Sequence, residues 1–456
     1  MKPIPRLFTC FFILGNLVLA GFYIDTWNNA NTTSRVLPIA SYLENGTFQI
    51  DKYHELTIDK CYINGHYYSE KAPLSIFITL PVACFLKALH IIQPVNGSFY
   101  SSKLYALGAI LCAVIPFVIM ITLTFYTLCR NERYGVLWAM LVFYGSFLFV
   151  YSGTYFEHIL AACLLLAAWV FYNKSDYFLC GLMAGMAFLS QFSLSLAIAV
   201  FGIQILWGTR SLKNITKYGL GVLPAAVLIM LYNYHFTGAP FVMLYKYITF
   251  DMSESLKATY GFRLPSLEAM CSLLFSAYRG LFYYTPLILL MILVSVYKKF
   301  IEKDAISLYP NSGLLPFTML YFLFISSYAV WWGGWCFGPR HLIPLAGLLL
   351  YEAVRYAINN KISMYVLILG ALPGFILAYF AKITVLYSLP SEVENPFADI
   401  IWRDVKVLNF NTNNILTAYV GVSSMWAAVC WLLLFISITA LLQFFFNRIH
   451  DRMPNK

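Results

Sequence analysis

The densest cluster of chemically competent side chains lies between Asp51 and Lys71, where Asp51, Asp59, His66, Glu70 and Lys71 are interleaved with Tyr62, Tyr67 and Tyr68. A carboxylate in such a group can deprotonate a hydroxyl or help to hold a divalent ion, and a neighbouring lysine can hold a phosphate. The plain alternative is a solvated loop. A second group is Gly153-Thr154-Tyr155-Phe156-Glu157-His158. It places an acid and an imidazole at the mouth of a helix pair, where either is costly in a membrane and points to function, unless the two simply cap the interface. The third is WWGGWCFGPRHLIP, from Trp331 to Pro344. The Arg340 guanidinium fork matches phosphate oxygens. Trp331, Trp332 and Trp335 offer faces to a sugar or an isoprenoid, or form an interfacial aromatic belt. Gly333 and Gly334 point to a close backbone approach that a belt does not require.

The elements that must position these groups are set by composition. The chain has 456 residues, 61% hydrophobic and only 11% charged, against roughly 25% charged in soluble domains. Apolar runs of bilayer-spanning length recur from end to end, which makes the chain an all-α polytopic membrane protein. That composition excludes a soluble enzyme, a nucleic-acid partner and a secreted disulfide domain. Spans are expected near 7–24, 104–128, 134–152, 156–172, 177–190, 194–208, 218–236, 280–297, 313–331, 342–357, 363–380 and 422–446, about twelve in all. The first lacks a small-x-small cleavage site and reads as an uncleaved span. The apolar stretch from Pro73 to Ile92 contains Pro81 and Lys87 and is expected to lie along the outer surface rather than cross.

With that choice both termini are cytoplasmic by the positive-inside rule. Sixteen lysines and arginines then face inward against six acidic residues, and the outer side keeps fourteen of each. The whole net charge of +10 therefore reports orientation, not a polyanionic partner. Three outer loops are long, at 25–103, 237–279 and 381–421, and long loops carry function more often than short ones. In the first, Val36, Ile39, Ala40 and Leu43 share one helix face, with Ser34 as the expected N-cap, Pro38 near the first turn and Asn45-Gly46 as the stop. The spacing predicts an amphipathic helix on the membrane surface. Of the ten cysteines, Cys61, Cys271 and Cys336 are expected in exposed loops, and no CxxC or metal-ligand spacing occurs. Nor is there a Walker or Rossmann signature.

The stretch SRVLPIASYLENGTF followed by NGHYYSEKAPL, together with YNYHFTGAP, SAYRGLFYYTP and FGPRHLIP, resembles the GT-C superfamily of membrane glycosyltransferases. The likeness is to the branch with protein mannosyltransferases and lipid A aminoarabinose transferases. It implies a GT-C-like bundle in one domain spanning 1–456, with juxtamembrane helices in the first outer loop. It also implies a sugar donor carried on a polyprenyl phosphate, an acceptor of unspecified chemistry, and a site on the periplasmic face of a bacterial inner membrane. Lys71 and Arg340 match positions that hold the lipid phosphate, and Glu157 falls near the family's second acidic motif. Where relatives carry a first acidic pair, this chain has Thr32-Thr33-Ser34-Arg35. Asp59 is the expected replacement base, with Glu70, Glu157 and Asp25 behind it. Arg35, His66, Tyr68, His158 and Trp335 are expected around the substrate, and a divalent metal is left open. A transporter or lipid flippase is the competing class, because it would use the same helices. Charges gathered at one surface over nearly charge-free spans favour the enzyme. A polyprenyl-lipid binder without catalysis is the third reading.

Overall fold

The computed structural model describes residues 4–26, 29–250, 259, 261–301 and 308–451. The charges expected at Lys2, Glu302, Lys303, Asp304, Arg452 and Lys456, and part of the 237–279 loop, lie outside the described residues. The chain is about 70% helical and nearly all-α. Among the described residues the sheet structure is a single two-stranded hairpin.

The order begins α1 (Arg6–Gly21), α2 (Ala30–Asn45), β1 (Cys61–Ile63), β2 (His66–Tyr68), α3 (Leu74–Ala88) and α4 (Ser102–Cys129). It continues with α5 (Gly135–Tyr144), α6 (His158–Asn173), α7 (Tyr177–Ser190), α8 (Phe192–Thr209) and α9 (Leu212–Thr237). The remainder holds α10 (Leu267–Phe275), α11 (Pro286–Phe300), α12 (Leu315–Ser326), α13 (Arg340–Asn359), α14 (Met364–Ile383) and α15 (Ser424–Asp451). Six of these, α4, α8, α9, α13, α14 and α15, are long and apolar enough to cross a membrane. On α9, Leu220, Leu223, Val227 and Leu231 form an exposed apolar stripe, the face that an apolar solvent would cover.

The apolar runs overstate the helices. At 1.5 Å per residue the 16 residues of α1 reach about 24 Å, short of a hydrocarbon core of about 30 Å. The run goes on through Phe22, Tyr23 and Ile24, but the helix has stopped at Gly21, and Tyr23 bridges to Asn414 instead. The expected span 134–152 is broken: α5 and the following 3-10 segment Phe147–Gly153 meet at 80°. Gly145 sits at the break against Gly374 of α14, where a Cβ on Gly374 would come 2.3 Å from the Gly145 carbonyl oxygen. Only glycine allows that approach. Buried Lys382 Nζ donates to the carbonyls of Phe149 and Val150 and to Ser152 Oγ at 3.1–3.3 Å, answering acceptors that the tight 3-10 turns leave open. The apolar run 177–208 does divide in two, at the extended residue Gln191.

Helix α2 departs from expectation in three ways. Its N-cap is Asn29, whose side chain accepts from Asn31 N, not Ser34. Pro38 sits mid-helix rather than in the first turn. Every residue from Asn31 to Ser41 is buried, so the helix is covered on both faces and does not float on a surface. Its apolar side, with Val36, Ile39, Ala40 and Leu43, packs into a core shared with α3 and α4, and its polar side faces a cavity. Gly46, left-handed at φ 70°, ends it as expected.

Candidate functional site

The hairpin builds the first wall of that cavity. Asn64 and Gly65 both have positive φ, 50° and 90°, the backbone that a two-residue turn between right-twisted strands requires. The resulting register pairs Ile63 with His66 and Cys61 with Tyr68, which brings the residues before β1 alongside those after β2. Lys71 Nζ donates to Asp59 Oδ2 at 2.8 Å and also to Glu70 Oε1. From α2, Ser34 Oγ donates to the Asp59 carbonyl at 2.6 Å and to Glu70 Oε2 at 3.3 Å.

A second ion pair faces the first. Arg35, wholly buried, donates to Glu157 Oε2 and, through Nη1, to the backbone and side-chain oxygens of Asn31 one turn earlier. His158 Nδ1 donates to Gln191 Oε1 at 2.9 Å, and Gln191 Nε2 donates to the Tyr321 hydroxyl at 2.9 Å. The third wall is the loop before α13. Buried Arg279 clamps it, donating to the carbonyls of Trp332 and Gly334 at 2.9 and 3.0 Å. Gly333 is left-handed at φ 78°, and a Cβ there would come 3.0 Å from Arg340 Nε. The Arg340 guanidinium lies 5.3 Å over the Phe156 ring. No carboxylate lies within 4 Å of it among the described residues, and its Nε is buried without a partner.

These walls enclose a cavity of about 370 Å³ lined by Asp59, Glu70, Lys71, Arg35, Glu157 and Arg340. A second, apolar cavity of about 360 Å³ adjoins it, lined by Met243, Phe262, Phe324 and Ile325. The two share Glu157, His158, Gln191, Phe192, Tyr245, Tyr328 and His341. Tyr245 and Tyr328 stand between them with their hydroxyls 2.7 Å apart.

Charge is unevenly held. Burial works to raise the Asp59 pKa, but the Lys71 ammonium outweighs it, with Arg340 and Arg35 farther off, and the carboxyl is held below its ordinary value. Glu70 goes the other way: burial, with Asp59 adding repulsion, exceeds the Lys71 attraction and raises it. Burial alone would lower Lys71, yet Asp59 and Glu70 together raise it. Lys71 is therefore charged and Glu70 resists ionisation. Lys71 lies between Asp59 and Glu70, Arg35 pairs with Glu157, and Arg340 is the cation of the cavity with no carboxylate within 4 Å among the described residues. Among the described residues no three of His, Cys, Asp and Glu gather as a metal would need.

Of the residues expected from sequence, Asp59, Glu70, Lys71, Arg35, Glu157, His158 and Arg340 converge on the cavity. His66 does not: it is half-exposed on the hairpin, 2.7 Å from Asp51 Oδ2. Tyr68 packs edge-on against Phe236 beside a separate small pocket. Trp335 is exposed and lines neither cavity, and Trp331 is buried against Tyr278. Asp25 is buried outside the cavity, in hydrogen-bond contact with Tyr387. Cys61 and Cys336 are buried free thiols, not exposed ones. Sequence reasoning missed Asn31, Gln191, Tyr245, Tyr328 and His341. Two of them left a trace: Asn31 precedes Arg35 by one helical turn, and Gln191 interrupts an apolar run.

No family model, curated protein or solved structure matches this chain. What the site does must be argued from its own chemistry.

Proposed function

We propose that the chain is an integral membrane glycosyltransferase that moves a sugar from a polyprenyl-phosphate donor to an acceptor hydroxyl. The observation that carries this reading is the pairing of cavities: a polar chamber with Lys71 and the carboxylate-free Arg340, sharing a wall with an apolar chamber. A lipid phosphate bearing a sugar has the same three parts. Lys71 and Arg340 would take the phosphate, the polar chamber the sugar, and the apolar chamber the first isoprene units.

The chemistry is a single displacement with inversion. The acceptor oxygen attacks the anomeric carbon as the bond from that carbon to the phosphate oxygen breaks. The electron pair leaves on the phosphate, where two cations stabilise it. The acceptor proton passes to Asp59. That carboxylate is a poor base while Lys71 holds it, but a phosphate that draws the ammonium away raises its proton affinity. Donor binding thus prepares the base. Glu70 holds the Lys71 ammonium from its other side, and Arg35 holds Glu157 in place. The reading includes a twelve-span GT-C-like bundle in which α1, α5, α6, α7, α11 and α12 add to the six long helices, α3 lies along the outer surface, both termini are cytoplasmic and the site faces the periplasm.

Native mass spectrometry of the detergent-purified protein tests it. A co-purifying polyprenyl phosphate, bare or glycosylated, is expected in the wild type and absent from Lys71→Ala and Arg340→Ala. Retention of ordinary phospholipids with no such species would overturn the reading. Lipid retained by Asp59→Asn with transfer lost would assign the carboxylate to catalysis rather than binding.

A further inference from the structure

The helices that carry the candidate site have a second cavity at their other end. It has a volume of about 490 Å³ and lies where α5 and α14 begin and α13 ends. Arg340 stands at the opposite end of α13, whose 17 α-helical residues Ile343–Asn359 separate the two ends by about 25 Å. The two cavities share no lining residue.

Three charges line it: Arg133, Lys361 and Glu132. None forms an ion pair within 4 Å among the described residues. Two cations and one anion in one hollow, none of them ion-paired and Arg133 lying only over the Tyr134 ring at 5.8 Å, are complementary to a ligand with the opposite pattern. Arg133 and Lys361 suit a phosphate, and Glu132 suits an ammonium. The rings of Tyr134, Tyr365 and Trp138 complete the wall, and aromatic faces attract an ammonium further. The lining also holds the apolar Leu137, Ile358 and Ile368. Tyr and Trp beside charged and apolar side chains suit the depth of a lipid headgroup, and basic pockets between spanning helices take lipid phosphates.

We infer that this cavity binds one phospholipid with a zwitterionic phospho-ammonium headgroup, of the phosphatidylethanolamine type, at the membrane face opposite the candidate site. Phosphate goes to Arg133 and Lys361, the primary ammonium to Glu132 and the rings, and the start of an acyl chain to the apolar side chains. An anionic headgroup without an amine would leave Glu132 unanswered and facing the phosphate.

The test uses the full-length protein, delipidated in detergent and titrated separately with phosphatidylethanolamine, phosphatidylglycerol and inorganic phosphate, with occupancy read by native mass spectrometry. The wild type is expected to hold one phosphatidylethanolamine in preference to phosphatidylglycerol, and not to hold inorganic phosphate. The double variant Arg133→Ala/Lys361→Ala should weaken both lipids by about tenfold, the worth of a charge-assisted contact. Arg133→Lys/Lys361→Arg, which keeps the charges, should restore binding and guards against a folding defect. Glu132→Gln should keep the phosphate contact and lose the preference for the amine. Equal affinity for the two lipids in the wild type, or no change in Glu132→Gln, would overturn the zwitterion assignment. Binding unaffected in the double alanine variant would overturn the site, and inorganic phosphate binding as strongly as the lipid would overturn a lipid as its occupant.

Discussion

At the scale of single residues, Arg340 is the most exposed to test, because its charge is unmatched and its Nε unpartnered. Arg340→Lys keeps the charge and loses the fork, so retention of lipid phosphate should fall by about tenfold, and by about a hundredfold in Arg340→Ala. Competitive displacement by a soluble polyprenyl phosphate would read both. Glu70 gives a pH signature. Its pKa is raised by burial and by Asp59, so as pH climbs through that value the chamber gains a negative charge and anion affinity falls. In Glu70→Gln the affinity should be flat over the same range, and equal slopes in the two proteins would place the titrating group elsewhere. Asp59 has the opposite sign. Its folded pKa lies below the ordinary 3.8, so its stabilising contribution is present above that value and lost as pH falls through the depressed one. Asp59→Asn should therefore cost about 1–3 kcal/mol near neutrality, and the melting-temperature gap to wild type should close as pH falls below 3.8 through the depressed value.

At the scale of elements, the hairpin decides whether those residues meet. Shifting the register of β1 against β2 by one residue would turn alternate side chains to the other face and part Asp59 from Lys71. Gly65 at φ 90° is the residue that fixes it. Gly65→Val should cost about 1–2 kcal/mol in strain and reduce lipid retention as sharply as Lys71→Ala, measured by thermal melts and mass spectrometry on the same preparation. A variant that melts early but keeps its lipid would show that the register survives without the turn. The same hairpin shows what was legible in the sequence and what was not. Lys71, Arg340 and Glu157 stood out because ionised groups are rare in so apolar a chain, and each does line the cavity. His66 and Tyr68 were drawn in by proximity along the chain. Two apart on β2, they share a strand face, and His66 goes to Asp51 and Tyr68 to Phe236. The Asn64-Gly65 turn signal between Tyr62-Ile63 and His66-Tyr67 would have separated them. Ser34 suited an N-cap by residue type, but Asn29 does that work five residues earlier, which frees Ser34 for the site. Tyr245 and Tyr328 could not be singled out among 34 tyrosines, because only the fold sets them opposite each other.

At the scale of the whole molecule, the membrane class was plain from composition, but the number of crossings was not. Hydropathy follows the chain through residues such as Phe22 to Ile24 and across the break at Gly145, whereas a helix ends where its backbone turns. The charge asymmetry makes its own prediction. Single cysteines at Ile58 and Arg133, introduced after the exposed Cys10 and Cys271 are replaced, should react with an impermeant maleimide from opposite sides of sealed vesicles. Labelling of both from one side would refute the orientation proposed.

A chamber cut into a membrane protein thins the electrical insulation beneath it. The segment Phe147–Gly153, buried at every residue and running 80° off α5, leads into the stretch that carries the cavity's Glu157. Two of its carbonyls, of Phe149 and Val150, are taken by Lys382, which leaves fewer places for a chain of water to form across it. On the function proposed, the bend at Gly145 closes the inner end of the sugar chamber with backbone whose polar groups are already engaged, so the chamber need not become a leak for protons.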